Sequence, residues 1–187
     1  MMKNKLIPAI ILMTVLCMGC GSTSNETESN EAASQTQVVS YGDFKINNIG
    51  PFKTVDMDGN TVTEAIFAEK EYTLINVWGT FCGPCINEMP ELQGINASLP
   101  DNFQIVGIVC DVPDDVPESR KAAIEIINKT GVTYTNLAVS EDMNDWFDSI
   151  QYVPTTILVD SNGNVVTEII EGAYVDGYKQ IIEQFGK

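Results

Sequence analysis

Cys82-Gly83-Pro84-Cys85 stands just beyond the apolar run Tyr72-Thr-Leu-Ile-Asn-Val-Trp78, so any fold of this chain must carry two thiols at the exit of a buried strand. Pro84 marks the other side of the junction, because a first helical turn has no use for the N–H that proline lacks. A strand that turns into a helix through a Cys-x-x-Cys pair forms a dithiol able to open and close as a disulfide. The same spacing also makes half of a structural zinc site. Zinc wants four ligands, the chain has no histidine, and outside the N-terminal segment the only further cysteine is Cys110. No metal site is therefore expected.

With the helix starting near Gly83, Cys82 falls ahead of its first turn, where unpaired N–H groups and the helix dipole favour negative charge. Its thiolate should be stabilised and its pKa drawn below the ordinary ~8.5. Cys82 is the expected nucleophile, and Cys85, a turn further in, the resolving thiol. Glu88 follows Cys85 on a neighbouring row of the same helix face. It reads either as the group that holds the Cys85 proton or as a solvated glutamate complementing the dipole. Pro90 is expected to kink this helix.

The segment Asn76-Val-Trp-Gly-Thr-Phe-Cys-Gly-Pro-Cys-Ile-Asn-Glu-Met-Pro90 resembles the active-site segment of the TlpA/ResA-like membrane-anchored thioredoxins, and the resemblance runs from about Tyr41 onward. It implies a thiol-disulfide oxidoreductase whose only redox group is the Cys82–Cys85 disulfide, with no further cofactor. Cys82, Cys85 and Glu88 match the family's catalytic positions, and Pro154 its cis-proline loop, Val153-Pro154-Thr155. Asn76 stands where cytosolic thioredoxins carry a buried aspartate, which gives Glu88 more weight. Phe81 stands where the family mostly has tryptophan and keeps an aromatic wall beside the disulfide. Trp78, Phe81, Gly83, Pro84, Val153 and Thr155 are the candidate substrate-contacting positions, Trp78 and Phe81 as core and wall beside the site. Independently of the family, Gln151-Tyr-Val-Pro-Thr-Thr-Ile-Leu-Val-Asp160 reads as a β-branched strand led by a proline, tolerated where a strand begins. The resemblance places the Val153 backbone beside the sulfurs, free to pair with an extended client segment.

Met1-Met-Lys-Asn-Lys5 is a short cationic region, Leu6 to Leu16 an apolar run of signal-peptide length, and Gly19 precedes Cys20. The pattern resembles a bacterial lipoprotein signal (1–19) cleaved before a lipidated Cys20, with Cys17 atypical three residues before it. An uncleaved anchor or a plain secretory signal stays open; each would leave the domain outside the cytoplasmic membrane, and the lipid would anchor it there. Residues 20–40 hold Ser, Thr, Asn, Glu, Gln and Ala without an aromatic, and read as a tether. Cleavage would remove Lys3 and Lys5 and leave 8 basic against 26 acidic side chains, a net charge near −18. That excess excludes nucleic acid as a partner and unaided binding to anionic lipid.

Residues 41–187 are one domain's worth of chain. Phe52–Val55 and Thr61–Thr63 flank Asp56-Met-Asp-Gly-Asn60, a hairpin turn; Gly59 and Phe67 fall at the wrong positions for a calcium loop. Next come a strand Tyr72–Trp78, a helix Gly83–Leu99, a strand Phe103–Cys110 and an amphipathic helix Pro117–Lys129. A strand Thr133–Val139 and a short helix Glu141–Asp148 follow. Thr155–Val159 and Val165–Ile170 are expected as a hairpin across Asp160-Ser-Asn-Gly-Asn164, before a last helix Val175–Phe185. Alternating strand and helix imply parallel pairing. This is the α/β order of a thioredoxin fold, a mixed central sheet flanked by helices, with an N-terminal β-hairpin extension. Trp146 and Phe147 are expected to close the sheet's edge, and Cys110 to be a small buried hydrophobe.

The leading functional expectation is a reductase of disulfides in client proteins, because relatives with Gly-Pro between the cysteines hold a reducing dithiol; an integral membrane thiol carrier would supply its electrons. An oxidase or isomerase could use the same cysteines, but no charged residue or histidine lies between them to stabilise a thiolate further. A peroxidase lacks its Thr-x-x-Cys segment here. A non-enzymatic surface-binding lipoprotein is suggested by the anchor alone, and copper delivery would want a histidine.

Overall fold

The computed structural model describes residues 46–187. The expected signal (1–19), Cys20, the tether (20–40) and residues 41–45 of the expected domain lie outside the described residues. The chain opens with an antiparallel hairpin, β1 (Lys53–Val55) and β2 (Thr61–Thr63), in which Lys53 faces Thr63. The Asp56 carboxylate folds its turn by accepting the N–H of Asp58 at 3.0 Å and of Asn60 at 2.8 Å. Asp160-Ser-Asn-Gly-Asn164 builds the same turn, Asp160 accepting from the N–H of Asn162 at 2.8 Å and of Asn164 at 2.9 Å. Both turns put glycine in the left-handed region, Gly59 at φ 91° and Gly163 at φ 75°, which explains the shared Asp-x-x-Gly-Asn spelling.

The central sheet is built from β3 (Tyr72–Trp78), β4 (Phe103–Pro113), β5 (Thr135–Val139), β6 (Thr155–Asp160) and β7 (Ile170–Glu171), in the order β5-β4-β3-β6-β7. β4 runs parallel to β3 and β5 parallel to β4, whereas β6 pairs antiparallel with both β3 and β7. The helices are α1 (Gly83–Asn96), α2 (Arg120–Thr130), α3 (Asn144–Phe147) and α4 (Val175–Phe185). The chain thus has the mixed sheet of the thioredoxin fold with the hairpin ahead of it. β3 is largely apolar because both of its faces are covered, and its polar Thr73 and Asn76 are buried with it. Leu74 and Trp78 pack among Cys85, Met89 and Leu92 of α1, Ala123 of α2 and Tyr178 of α4. Ile75 and Val77, pointing the other way, pack among Phe52, Phe67, Met143 and Trp146. Each large side chain so buried contributes roughly 1.5–3 kcal/mol.

Several expectations change. The strand expected over Val165–Ile170 shrinks to Ile170–Glu171. Val165 makes only an isolated bridge to Val159, flanked by the Asp160 N–H on the Asn164 carbonyl and the Val166 N–H on the Leu158 carbonyl, both at 2.9 Å, while on its outer side its own N–H donates to the Asn47 carbonyl at 2.9 Å. Trp146 and Phe147 do not close the sheet's edge; Trp146 is buried against one sheet face. The β5 edge is instead met by β1, where the Thr54 hydroxyl donates to the Ala138 carbonyl at 2.7 Å and Asp56 bridges Leu137. Finally, the second helix starts as a 3₁₀ turn at Pro117–Ser119 and becomes α-helical at Arg120. α1 runs through Pro90 and stops at Asn96, short of Leu99.

Candidate active site

The strand-to-helix junction holds its two sulfurs at the C-terminal end of β3. Cys82 is the N-cap of α1 with extended backbone, and its sulfur accepts the Cys85 N–H at 3.2 Å. A capping serine would use its side-chain oxygen in this way; here the acceptor is sulfur. Cys82 and Cys85 are joined by a disulfide, Cys82 with a 6% exposed fringe and Cys85 fully enclosed. The sulfur that a client can reach is therefore that of Cys82. The Val153 carbonyl oxygen lies 3.5 Å from it, and the Val153–Pro154 peptide is cis, as the resemblance implies.

The loop before Cys82 is pinned from β4. Asp111 accepts the Thr80 N–H at 2.9 Å and also the Thr80 hydroxyl, and the Cys82 N–H donates to the Gly79 carbonyl at 3.0 Å. Gly79 has no room for a side chain: a Cβ there would lie 2.7 Å from the Phe81 ring and 3.0 Å from Cys110 Sγ. Cys110 is thus half-buried behind the loop, not enclosed as expected, and burial followed by the Asp111 charge pushes its thiol up to about 11. It stays protonated and unreactive at neutral pH.

Of the expected substrate positions, Phe81 is 72% exposed, Gly83 and Pro84 are exposed, and Val153 is half-buried, so these surround the accessible sulfur. Trp78 and Thr155 do not reach the surface. Trp78 is fully buried with its indole N–H on the Asn136 side-chain oxygen at 2.8 Å, and the Thr155 hydroxyl donates to the Tyr152 carbonyl at 2.7 Å. Both shape the site from beneath. Tyr152, next to the cis peptide and 64% exposed, adds a second free aromatic that the sequence reading passed over.

Glu88 is not the solvated residue of the alternative reading: it is 4% exposed. Asn76 Nδ2 donates to its Oε1 at 3.1 Å while also reaching the Thr156 hydroxyl at 3.2 Å, and the Tyr178 hydroxyl donates to its Oε2 at 3.1 Å. Burial raises its pKa from the usual 4.5 to about 7; the Asn76 and Tyr178 hydrogen bonds pull it down, and the Glu91 charge adds to the rise. An acid one turn beyond Cys85 that changes charge near neutral pH can take or return one proton there. Tyr178 was missed because α4 reads only as an amphipathic helix; the available signal was a polar-tipped aromatic in its inward stripe.

The family model described as Redoxin matches residues 25–182. Among curated relatives, the thiol-disulfide oxidoreductase ResA of Bacillus thuringiensis subsp. konkukian is 24% identical over 176 residues, 90% of this chain and 90% of its own. The thiol:disulfide interchange protein HelX of Rhodobacter capsulatus is 30% identical over 111 residues, 57% of this chain and 56% of its own. The crystal structure of a DsbF homologue from Corynebacterium diphtheriae superposes with a TM-score of 0.62 at 20% identity, over 78% of this chain and 90% of that one, and so shares the fold.

Proposed function

Because this chain belongs to the redoxin family and is a thiol-disulfide oxidoreductase, we propose that it works outside the bacterial cytoplasmic membrane, held there by a lipid on Cys20, as a reductase of disulfides in client proteins. In the reduced enzyme the Cys82 thiolate attacks a client disulfide; a Cys82–client disulfide forms and one client sulfur leaves as thiolate. Cys85 then gives its proton to the Glu88 carboxylate and attacks Cys82 Sγ. The second client sulfur leaves, the Cys82–Cys85 disulfide forms, and two electrons have passed to the client. An integral membrane thiol carrier returns the enzyme to the dithiol. The Val153 carbonyl offers the client backbone an acceptor, while Phe81, Gly83 and Pro84 flank it; no cofactor beyond the cysteine pair takes part.

What supports reduction over oxidation is that only Gly83 and Pro84 lie between the cysteines, with no charged residue or histidine to stabilise a Cys82 thiolate further. In the disulfide the neighbouring donor to Cys82 Sγ is the Cys85 N–H, at 3.2 Å. A strongly oxidising pair needs a heavily stabilised thiolate. Equilibration with glutathione should therefore give a potential nearer thioredoxin's ~−270 mV than the ~−120 mV of a strong oxidant, and a value near the latter would reverse the direction. The anchor is tested by metabolic labelling with a radioactive fatty acid: Cys20→Ser should release an unlabelled protein from the membrane fraction, and an unchanged distribution would remove the lipid from the account.

A further inference from the structure

Tyr178 reaches the acid from α4, and its hydroxyl has more acceptors than protons. Glu88 Oε2 lies 3.1 Å away and the Gly172 carbonyl 3.2 Å away, while the Tyr174 N–H donates to the same oxygen at 3.4 Å. A phenol carries one hydrogen, so it serves one of the two acceptors at a time. We propose that Tyr178 is a positioning residue that lets Glu88 change charge inside the core, turning its hydroxyl hydrogen from Glu88 to the Gly172 carbonyl when Glu88 takes up a proton.

The two states follow from counting donors. With Glu88 ionised, Tyr178 donates to Oε2 and Asn76 to Oε1, so both carboxylate oxygens are served. With Glu88 protonated on Oε2, the acid becomes the donor, the Tyr178 oxygen accepts, and the phenol hydrogen moves to Gly172. Neither state strands a buried hydrogen. Tyr178 stays a neutral phenol throughout: burial pushes it up to about 12, against the Thr156 hydroxyl, with the Glu88 charge adding to the rise. The remaining groups facing Glu88 are Asn76 of β3, Thr156 of β6 behind it, Tyr134 ahead of β5, whose phenol burial holds neutral, and Glu91 and Cys85 of α1. Asn76 also reaches a second acceptor, the Thr156 hydroxyl at 3.2 Å, but its amide carries two hydrogens and serves both at once, whereas the single hydrogen of Tyr178 has to choose.

Gly172 supplies that acceptor through its backbone. At φ 88° it aims its carbonyl at Tyr178 while its N–H donates to the Pro154 carbonyl at 2.7 Å. The acid under the disulfide is thereby joined to the loop that flanks Cys82. A residue with a Cβ is strained at that φ and would turn the carbonyl away, although no atom blocks the side chain itself.

The proposal rests on Glu88 as the acceptor of the Cys85 proton, but it is tested on the acid alone. Glutamate labelled with carbon-13 at the carboxyl, in the oxidised full chain, reports the Glu88 titration midpoint. Tyr178→Phe keeps the ring and removes the hydroxyl; the ionised state loses the stronger, charge-assisted bond, so the midpoint should rise by about one pH unit. Gly172→Ala removes the acceptor used only in the protonated state, so the midpoint should fall. A Tyr178→Phe midpoint at the wild-type value overturns the role of Tyr178. A Gly172→Ala midpoint that is unmoved, or that rises, overturns the two-acceptor switch, and this arm stands even where Tyr178→Phe does not fold. Mixed-disulfide resolution at the wild-type rate in Glu88→Gln would instead remove Glu88 from proton transfer, whatever the titrations show.

Discussion

Glu88 is held where its charge is least welcome, and that placement makes the stability of the oxidised protein depend on pH. Folded, the acid keeps its proton to about pH 7; in the unfolded chain it titrates near 4.5. Between those values the folded state binds more protons than the unfolded one, so the contribution of this group is fully present below 4.5 and is lost as pH rises through 7. Glu88→Gln removes the titration while keeping a side chain able to accept from Asn76. Urea unfolding of both proteins at a series of pH values should show wild type losing stability relative to Glu88→Gln across that window. Parallel curves for the two proteins would mean that Glu88 titrates as an exposed glutamate does.

Among the elements, the hairpin carries more than its size suggests, because β1 lies against the β5 edge, which would otherwise offer unpaired backbone groups to another chain. Its one buried side-chain bond there is Thr54 to Ala138. Thr54→Val keeps the shape and leaves that carbonyl without its donor, which should cost about 1–3 kcal/mol in chemical denaturation while leaving the reduction potential of the cysteine pair unchanged. A shift in the potential would mean that the hairpin reaches the disulfide after all. The elements also differ in how openly they could be read. β3, α1 and α4 were legible because an apolar run, a proline beside a cysteine and a 3.6-residue stripe are local signals. The partner of β6 was not, since the pattern after Asn164 promises one strand to Ile170, whereas the pairing stops after the bridge at Val165 and resumes only at Ile170–Glu171. Glu88 was ambiguous for another reason: spacing put it on the face of Cys85, but its burial depends on Tyr178 arriving from α4. Trp78 sat within a legible strand, yet only the Asn136 amide shows that its indole is satisfied inward and closed to clients.

At the scale of the whole molecule the dominant property is charge. The chain carries 26 acidic against 10 basic side chains, and among the described residues only three ion pairs form, Lys121–Glu118, Lys179–Asp176 and Lys187–Glu71, all near the surface. Such pairs contribute little stability, and most carboxylates are left to set the field around the molecule. That field acts on encounter: it draws in a cationic client and repels an anionic one over about 10 Å at ~0.1 M salt. Three disulfide peptides that differ only in flanking lysine, serine or glutamate should separate in their rates of reduction by the dithiol enzyme at low ionic strength, lysine fastest and glutamate slowest. Raising the salt to about 0.5 M should bring the three rates together, slowing the first and speeding the last. Rates that respond alike to salt would place client selection in the contacts around Cys82, Phe81 and Val153 alone.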